Sequence, residues 1–116
     1  MKRSLTRRER LRSSRDIRAM FGSAMRVEAQ GIKVLVRRNG LPENRIGIMV
    51  SRGCGGSVRR NREKRVTREA YRELKSGLKS GNDILCIIGR FGQGVRERTH
   101  AMQMLFKRAD LCDRMD

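Results

Sequence analysis

SVRRNREKRVTREAYREL, residues Ser57–Leu74, holds seven basic side chains in eighteen positions, together with Glu63, Glu69, Glu73 and spaced apolar residues. At ~100° per residue a helix sorts this stretch into two faces. Arg60, Asn61, Lys64, Arg65, Arg68, Arg72 and, just past the quoted end, Lys75 fall within about 140° of arc. Val66, Ala70, Leu74 and Leu78 occupy a different arc, with Glu63 and Thr67 among them and Tyr71 at its border. The pattern is an amphipathic helix with a core stripe beside a continuous basic face. Glu69 lies four residues after Arg65 and can pair with it, but like charges at 60/64, 64/68 and 68/72 stack on one side. A helix shaped only for stability would interleave acids there, so the basic face reads as a working surface.

The elements on either side of this helix set the fold class. Upstream, Ile32, Val34 and Val36 alternate with Lys33, Leu35 and Arg37, which predicts a half-buried strand over Ile32–Arg38 with a basic outer face. Asn39-Gly40-Leu41-Pro42 supplies turn chemistry. A second alternating strand follows over 45–51, and the two are expected to pair as an antiparallel hairpin. Ser13 or Ser14 offers an N-cap to an earlier helix in which Ile17, Met20, Phe21 and Ala24 share helical spacing. A short extended piece at 26–29 is weakly signalled. Downstream, Ser76-Gly77 ends the basic helix, and the unbroken apolar run 84–88 predicts a fully buried strand. A final helix over 96–109 places Ala101, Met102, Leu105, Phe106 and Ala109 on one stripe. The order is helix, strands, helix, strand, helix, an α+β two-layer sandwich. Residues 1–12 read as a flexible basic arm, 13–111 as a single domain and 112–116 as a tail.

The whole composition points the same way as the helix. The chain has 116 residues, one small domain, with 29 Lys plus Arg against 12 Asp plus Glu for a net charge of +17. Of the basic residues 23 are Arg and 6 are Lys. Arg presents a planar fork that matches phosphate oxygens in pairs and stacks on bases, so the bias suits a nucleic acid. A membrane partner is disfavoured: the longest wholly apolar run is five residues, the basic N-terminus lacks the apolar stretch of a signal peptide, and there is no Trp for an interfacial anchor. A cytoplasmic RNA- or DNA-binding protein is the expectation.

The residues offer little for catalysis within the protein itself. The acids are scattered, and the single His100 sits on the last helix. Cys54, Cys86 and Cys112 are far apart with no Cys-x-x-Cys, which predicts free thiols rather than a zinc site. The loop SRGCGG (51–56) does not match a nucleotide-binding phosphate loop, so no nucleotide cofactor is expected; it reads as a strand-to-helix turn.

RIGIMVSR (45–52), Gly55, VRRNREKR (58–65) and REAYR (68–72) together resemble the bacterial ribonuclease P protein family, whose R-x-G-x-x-V-S strand precedes an R-N-R-x-K-R-x-x-R-E-x-[FY]-R helix. The likeness extends over about residues 10–111. It implies a four-stranded sheet with a left-handed crossover through the central helix, against the common right-handed rule. It also implies the protein subunit of an endoribonuclease that removes the 5′ leader of precursor tRNA, with the chemistry and the Mg²⁺ held by the catalytic RNA and no catalytic residue in the protein. By the same resemblance, Arg60, Asn61, Arg62, Lys64, Arg65, Arg68 and Arg72 would meet the catalytic RNA. Ile17, Phe21, Leu35, Ser51 and Arg52, with Lys33 and Arg37 on the same strand face as Leu35, would line the cleft for the leader. The family usually carries Phe at the position of Ile17 and often an aromatic at Leu35, which leaves base stacking here mainly to Phe21. The competing class is a small ribosomal protein that packs rRNA and assists no reaction.

Overall fold

The computed structural model describes residues 5–112, so residues 1–4 of the expected arm and 113–116 of the expected tail lie outside the described residues. The chain runs α1 (Ser14–Ser23), β1 (Met25–Ala29), β2 (Ile32–Arg38), β3 (Arg45–Val50), α2 (Ser57–Leu74), β4 (Asn82–Ile88) and α3 (Val95–Arg108). Ser13 caps α1, its Oγ accepting the Asp16 N–H at 3.3 Å. The weakly signalled piece at 26–29 is a full strand, β1, paired with β2 in an antiparallel hairpin. Its two-residue turn puts Gln30 at φ 54° and Gly31 at φ 77°, the twist-matched hairpin geometry that needs left-handed backbone at both positions. Gly31 is required twice over, since a Cβ there would stand 2.9 Å from the Arg90 Cβ.

The sheet is four-stranded and mixed, in the order β1-β2-β4-β3, with β3 and β4 parallel. This corrects one sequence expectation: β2 and β3 do not form a hairpin, because β4 lies between them. The run 84–88 is apolar on both faces and takes the interior position, leaving the half-polar β2 and β3 to flank it. The connection after β2 also commits its hydrogen bonds to the start of β4. Asn39 N–H donates to the Gly81 carbonyl at 2.9 Å, Asn39 Nδ2 to Asp83 Oδ1 at 2.9 Å, and Asn82 N–H to Asn44 Oδ1 at 2.8 Å. A loop anchored this way strides over β4 rather than folding back on β2.

One face of the sheet packs against α2 and α3. Ile32, Val34, Ile84, Cys86 and Ile88 meet Ala70, Tyr71, Met102, Leu105 and Phe106, all at most 1 % exposed. Each large apolar side chain buried in this way contributes roughly 1.5–3 kcal/mol. On the other face α1 buries Met20 against Leu35 and Leu85, with Leu11 completing a smaller cluster.

Residues 5–12, expected as a flexible arm, are folded against the edge of β3. Leu5 and Leu11 are buried, Arg10 bridges to Ile46, and the Leu11 N–H donates to the Ile46 carbonyl at 2.9 Å. Lys75 Nζ meets Glu9 Oε2 at 3.1 Å, tying the segment to the end of α2. Gly47 permits this crossing, since a Cβ there would lie 3.2 Å from the Leu11 carbonyl oxygen. Covering an edge strand satisfies backbone groups that would otherwise be open to another chain. Among the described residues no helix is long and apolar enough to cross a membrane.

Candidate nucleic-acid interface

The helix read from the quoted stretch is α2, with the bounds given above. Its inward stripe is Glu63, Val66, Thr67, Ala70 and Tyr71, all buried. Tyr71 is therefore in the core rather than at the border, edge-on to Phe106 with centroids 6.4 Å apart. The outward residues divide into grades of exposure. Asn61 and Arg65 are exposed, while Arg60, Lys64, Arg68 and Arg72 are half-buried. The Nε of Arg72 is buried without a hydrogen-bond partner among the described residues. Lys64 and Arg68 face the folded N-terminal segment, and with Arg10 and Arg12 they wall a hollow of about 400 Å³. The basic surface is thus wider than α2, because residues 5–12 contribute to it.

Arg62 stands apart from this face. Its guanidinium donates to the Gln93 carbonyl and to Glu63 Oε2, both at 3.2 Å, and it remains 41 % exposed. Beneath it lies a network that the sequence did not reveal. Arg98 of α3 is fully buried and donates to Glu63 Oε1 at 2.7 Å, Thr67 Oγ1 at 2.8 Å, Gln93 Oε1 at 2.8 Å and the Arg90 carbonyl at 3.2 Å. Gly92 N–H donates to Glu63 Oε2 at 2.8 Å. Burial alone would raise the Glu63 pKa, but these donors outweigh it and hold the carboxyl below its ordinary value. The network locks α2 to α3 and to the loop 89–94, fixing which residues of α2 point outward. Glu63 lay on the core arc of the wheel, and that acid at a core position was the only trace in the sequence.

On the opposite face of the sheet, the strand register sorts the expected cleft residues. Lys33, Ile87 and Met49 form one row, Leu35, Leu85 and Gly47 the next, and Arg37, Asp83 and Arg45 a third. α1 covers the middle row, so Leu35 is 4 % exposed and serves as floor beneath the helix rather than as open surface. Ile17 is half-buried in the same cluster, while Phe21 is 57 % exposed. Lys33 shares its row with Met49 across Ile87, Ser51 follows two positions after Met49, and Arg52 is exposed in the turn beyond. Arg37 belongs to the far end: six residues of β3 separate its row from Ser51, about 20 Å. The structure thus groups Lys33, Ser51 and Arg52 at one end of the strands and leaves Arg37 at the other, with Phe21 exposed on α1, the helix that covers the middle row. Met49, 40 % exposed, and half-buried Ile87 join the group as apolar surface. Met49 could be seen in the strand alternation, whereas Ile87 was hidden in an apolar run read as wholly buried.

Arg45 ties α1 to this face. Its Nε donates to Asp83 Oδ1 at 2.8 Å and its NH2 to Asp83 Oδ2 at 2.7 Å, with Asp16 of α1 at 3.4 Å. Hydrogen bonding to Asp83 raises the Arg45 pKa, so the fork is permanently charged. Groups suited to proton transfer or nucleophilic attack are dispersed. His100 is exposed on the outer side of α3, and burial pushes the Cys86 thiol up to about 12. Taken together, the arrangement presents a field of cations on one side and a mixed apolar and basic surface on the other.

Comparison with known proteins agrees with this geometry. The family model described as Ribonuclease P matches residues 5–110. The ribonuclease P protein component of Thermotoga maritima is 42% identical over 87 residues, covering 75% of this chain and 74% of the relative. That of Syntrophomonas wolfei is 32% identical over 90 residues, covering 78% and 75%. Among solved structures, the T. maritima RNase P protein superposes with a TM-score of 0.65 at 31% identity, covering 93% of this chain and 98% of that one. The Staphylococcus aureus RNase P protein, at 24% identity and a TM-score of 0.79, shares the fold over 90% of this chain and 97% of its own.

Proposed function

This chain belongs to the ribonuclease P protein family, and from that premise we propose that it is the protein subunit of a ribonucleoprotein that removes the 5′ leader from precursor tRNA. The observation that carries the reading is the presence of two chemically different surfaces on opposite sides of one sheet. The basic flank of α2, with Arg60, Asn61, Lys64, Arg65, Arg68 and the outer part of Arg72, meets the catalytic RNA; Arg62 meets it at the edge while holding Gln93. The face beneath α1, with Phe21, Ile17, Lys33, Ser51, Arg52 and Met49, takes the single-stranded leader, and Arg37 reaches only a longer one.

The chain works by binding. Cations on α2 neutralise phosphate repulsion between catalytic RNA and substrate, and release of counterions makes that contact salt-dependent. Phe21 offers a ring to an unstacked base, worth about 1–3 kcal/mol. Mg²⁺ is assigned to the RNA of the holoenzyme. Glu63, Asp83 and Asp16 face arginines, and no step is routed through a metal on the protein. The setting is the cytoplasm, where precursor tRNA is made.

Reconstitution tests this reading. Adding the protein to the catalytic RNA should restore leader removal at Mg²⁺ concentrations where the RNA alone is nearly inactive. Unchanged leader removal, together with tight binding to ribosomal RNA, would favour an rRNA-packing protein instead.

A further inference from the structure

The chain has one Tyr, three Phe and no Trp. Tyr71 and Phe106 are sealed in the core at 1 % and 0 % exposure. Two rings remain within reach of a partner: Phe21 on α1, and Phe91 in the loop between β4 and α3. Phe91 packs one side on the main core and is half-buried. Its other surroundings form a hollow of about 430 Å³ between two glycine-containing loops, lined also by Gly53, Cys54, Arg59, Arg62 and Gly92, with Glu63 at its floor. A Cβ added at Gly53 or Gly92 would meet no atom within 4 Å, so the rim is open. The volume lies in the range of small-molecule sites and exceeds what a single base needs.

The charges around the hollow select its occupant. The Glu63 carboxylate is matched by Arg98 at 2.7 Å, by Arg62 at 3.2 Å and by the Gly92 N–H at 2.8 Å. What remains for a ligand is the exposed Arg59 and the outer side of Arg62, two planar guanidiniums beside an aromatic ring. That combination suits a base with its flanking phosphates. The hollow also adjoins the first turn of α2, on the helix assigned to the catalytic RNA. We propose that it receives one unpaired base of that RNA, stacked on Phe91, with the adjoining phosphates against Arg59 and Arg62. The inference rests on the assignment of α2 to the catalytic RNA and adds a base contact to a surface otherwise made of phosphate contacts.

Because the chain lacks Trp, Phe91→Trp places a single fluorophore in the hollow, and Phe21→Trp places one in the leader cleft. Catalytic RNA without substrate should quench the indole emission of the Phe91→Trp variant and shield it from acrylamide. The Phe21→Trp variant should respond only when leader-bearing precursor tRNA is added to its holoenzyme. Phe91→Leu keeps the apolar packing on the core, so that variant should unfold like the wild type. It should nevertheless bind catalytic RNA about tenfold more weakly with an unchanged salt slope, because a neutral stacking contact is lost. Unquenched emission from Phe91→Trp at saturating RNA, or wild-type affinity of Phe91→Leu, would overturn the base pocket while leaving the role of α2 intact. Failure of the wild-type protein to bind the catalytic RNA would remove both.

Discussion

The two faces of the sheet solve different problems with different materials. On one, α2 is clamped from beneath by the buried Arg98–Glu63 pair, and all seven of its cations lie outside the buried stripe. On the other, α1 rests on a small cluster of Leu11, Met20, Leu35 and Leu85, and the open part offers Phe21, Met49 and Ile87 beside Lys33. The first surface is rigid and electrostatic, as suits permanent assembly with a large RNA. The second is smaller and partly apolar, as suits the stacking of single-stranded bases without sequence preference. The difference teaches that net charge alone says little about where a polyanion is gripped and where it is merely accommodated.

The clamp under α2 should give the largest effect. Arg98→Met leaves Glu63 charged and buried without its main partner, which is expected to cost about 3–5 kcal/mol of stability in denaturant unfolding. Replacing both, as Glu63→Leu with Arg98→Met, should recover most of that loss. Loss of the clamp without loss of stability would place the organisation of α2 elsewhere.

A smaller effect tests the electrostatic surface. Arg65→Ala should weaken catalytic-RNA binding by about 1 kcal/mol at moderate salt and reduce the slope of log K against log salt by about 0.7–0.9, one phosphate contact. An unchanged slope would mean that Arg65 does not touch a phosphate.

Acid titration gives the smallest and most gradual change. The folded pKa of Glu63 is depressed, so its contribution is complete above the unfolded glutamate value of about 4.3 and is lost as pH falls through the lower folded value. Unfolding free energy should therefore fall as pH drops below that range. Glu63→Gln should flatten this dependence, and an identical acid profile in that variant would contradict the assignment.

How much of this was legible in the sequence depended on whether the signal was local. The core stripes of α2 and α3 follow from periodicity and β4 from its unbroken apolar run, and the structure forms all three elements, departing from the reading at Tyr71, which is in the core, and at Ile87, which is half-buried. The placement of β4 between β2 and β3 is non-local, and the turn residues Asn39 and Asn44 that decide it are equally good hairpin formers. Leu5 and Leu11 are isolated apolar residues in a basic segment, too far apart to show a period, so their packing on β3 could not be read. Arg98 and Glu63 are 35 positions apart, and nothing local distinguishes a buried arginine from a solvated one. On the face proposed for the leader, the alternation of β2 put Leu35 on the polar side, but only the path of α1 shows that it is covered.

The central claim is that the two faces bind different RNAs, and the ratio of affinities for leader-bearing and leaderless precursor tRNA tests it most directly. The ratio should be measured in holoenzyme assembled at saturating catalytic RNA, with wild-type protein, Phe21→Ala and Arg65→Ala. Phe21→Ala should collapse the ratio toward one, a loss of about 1–3 kcal/mol confined to the leader-bearing substrate, while Arg65→Ala should leave it at the wild-type value. A ratio that survives Phe21→Ala, or that collapses with Arg65→Ala, would contradict the division of the two faces.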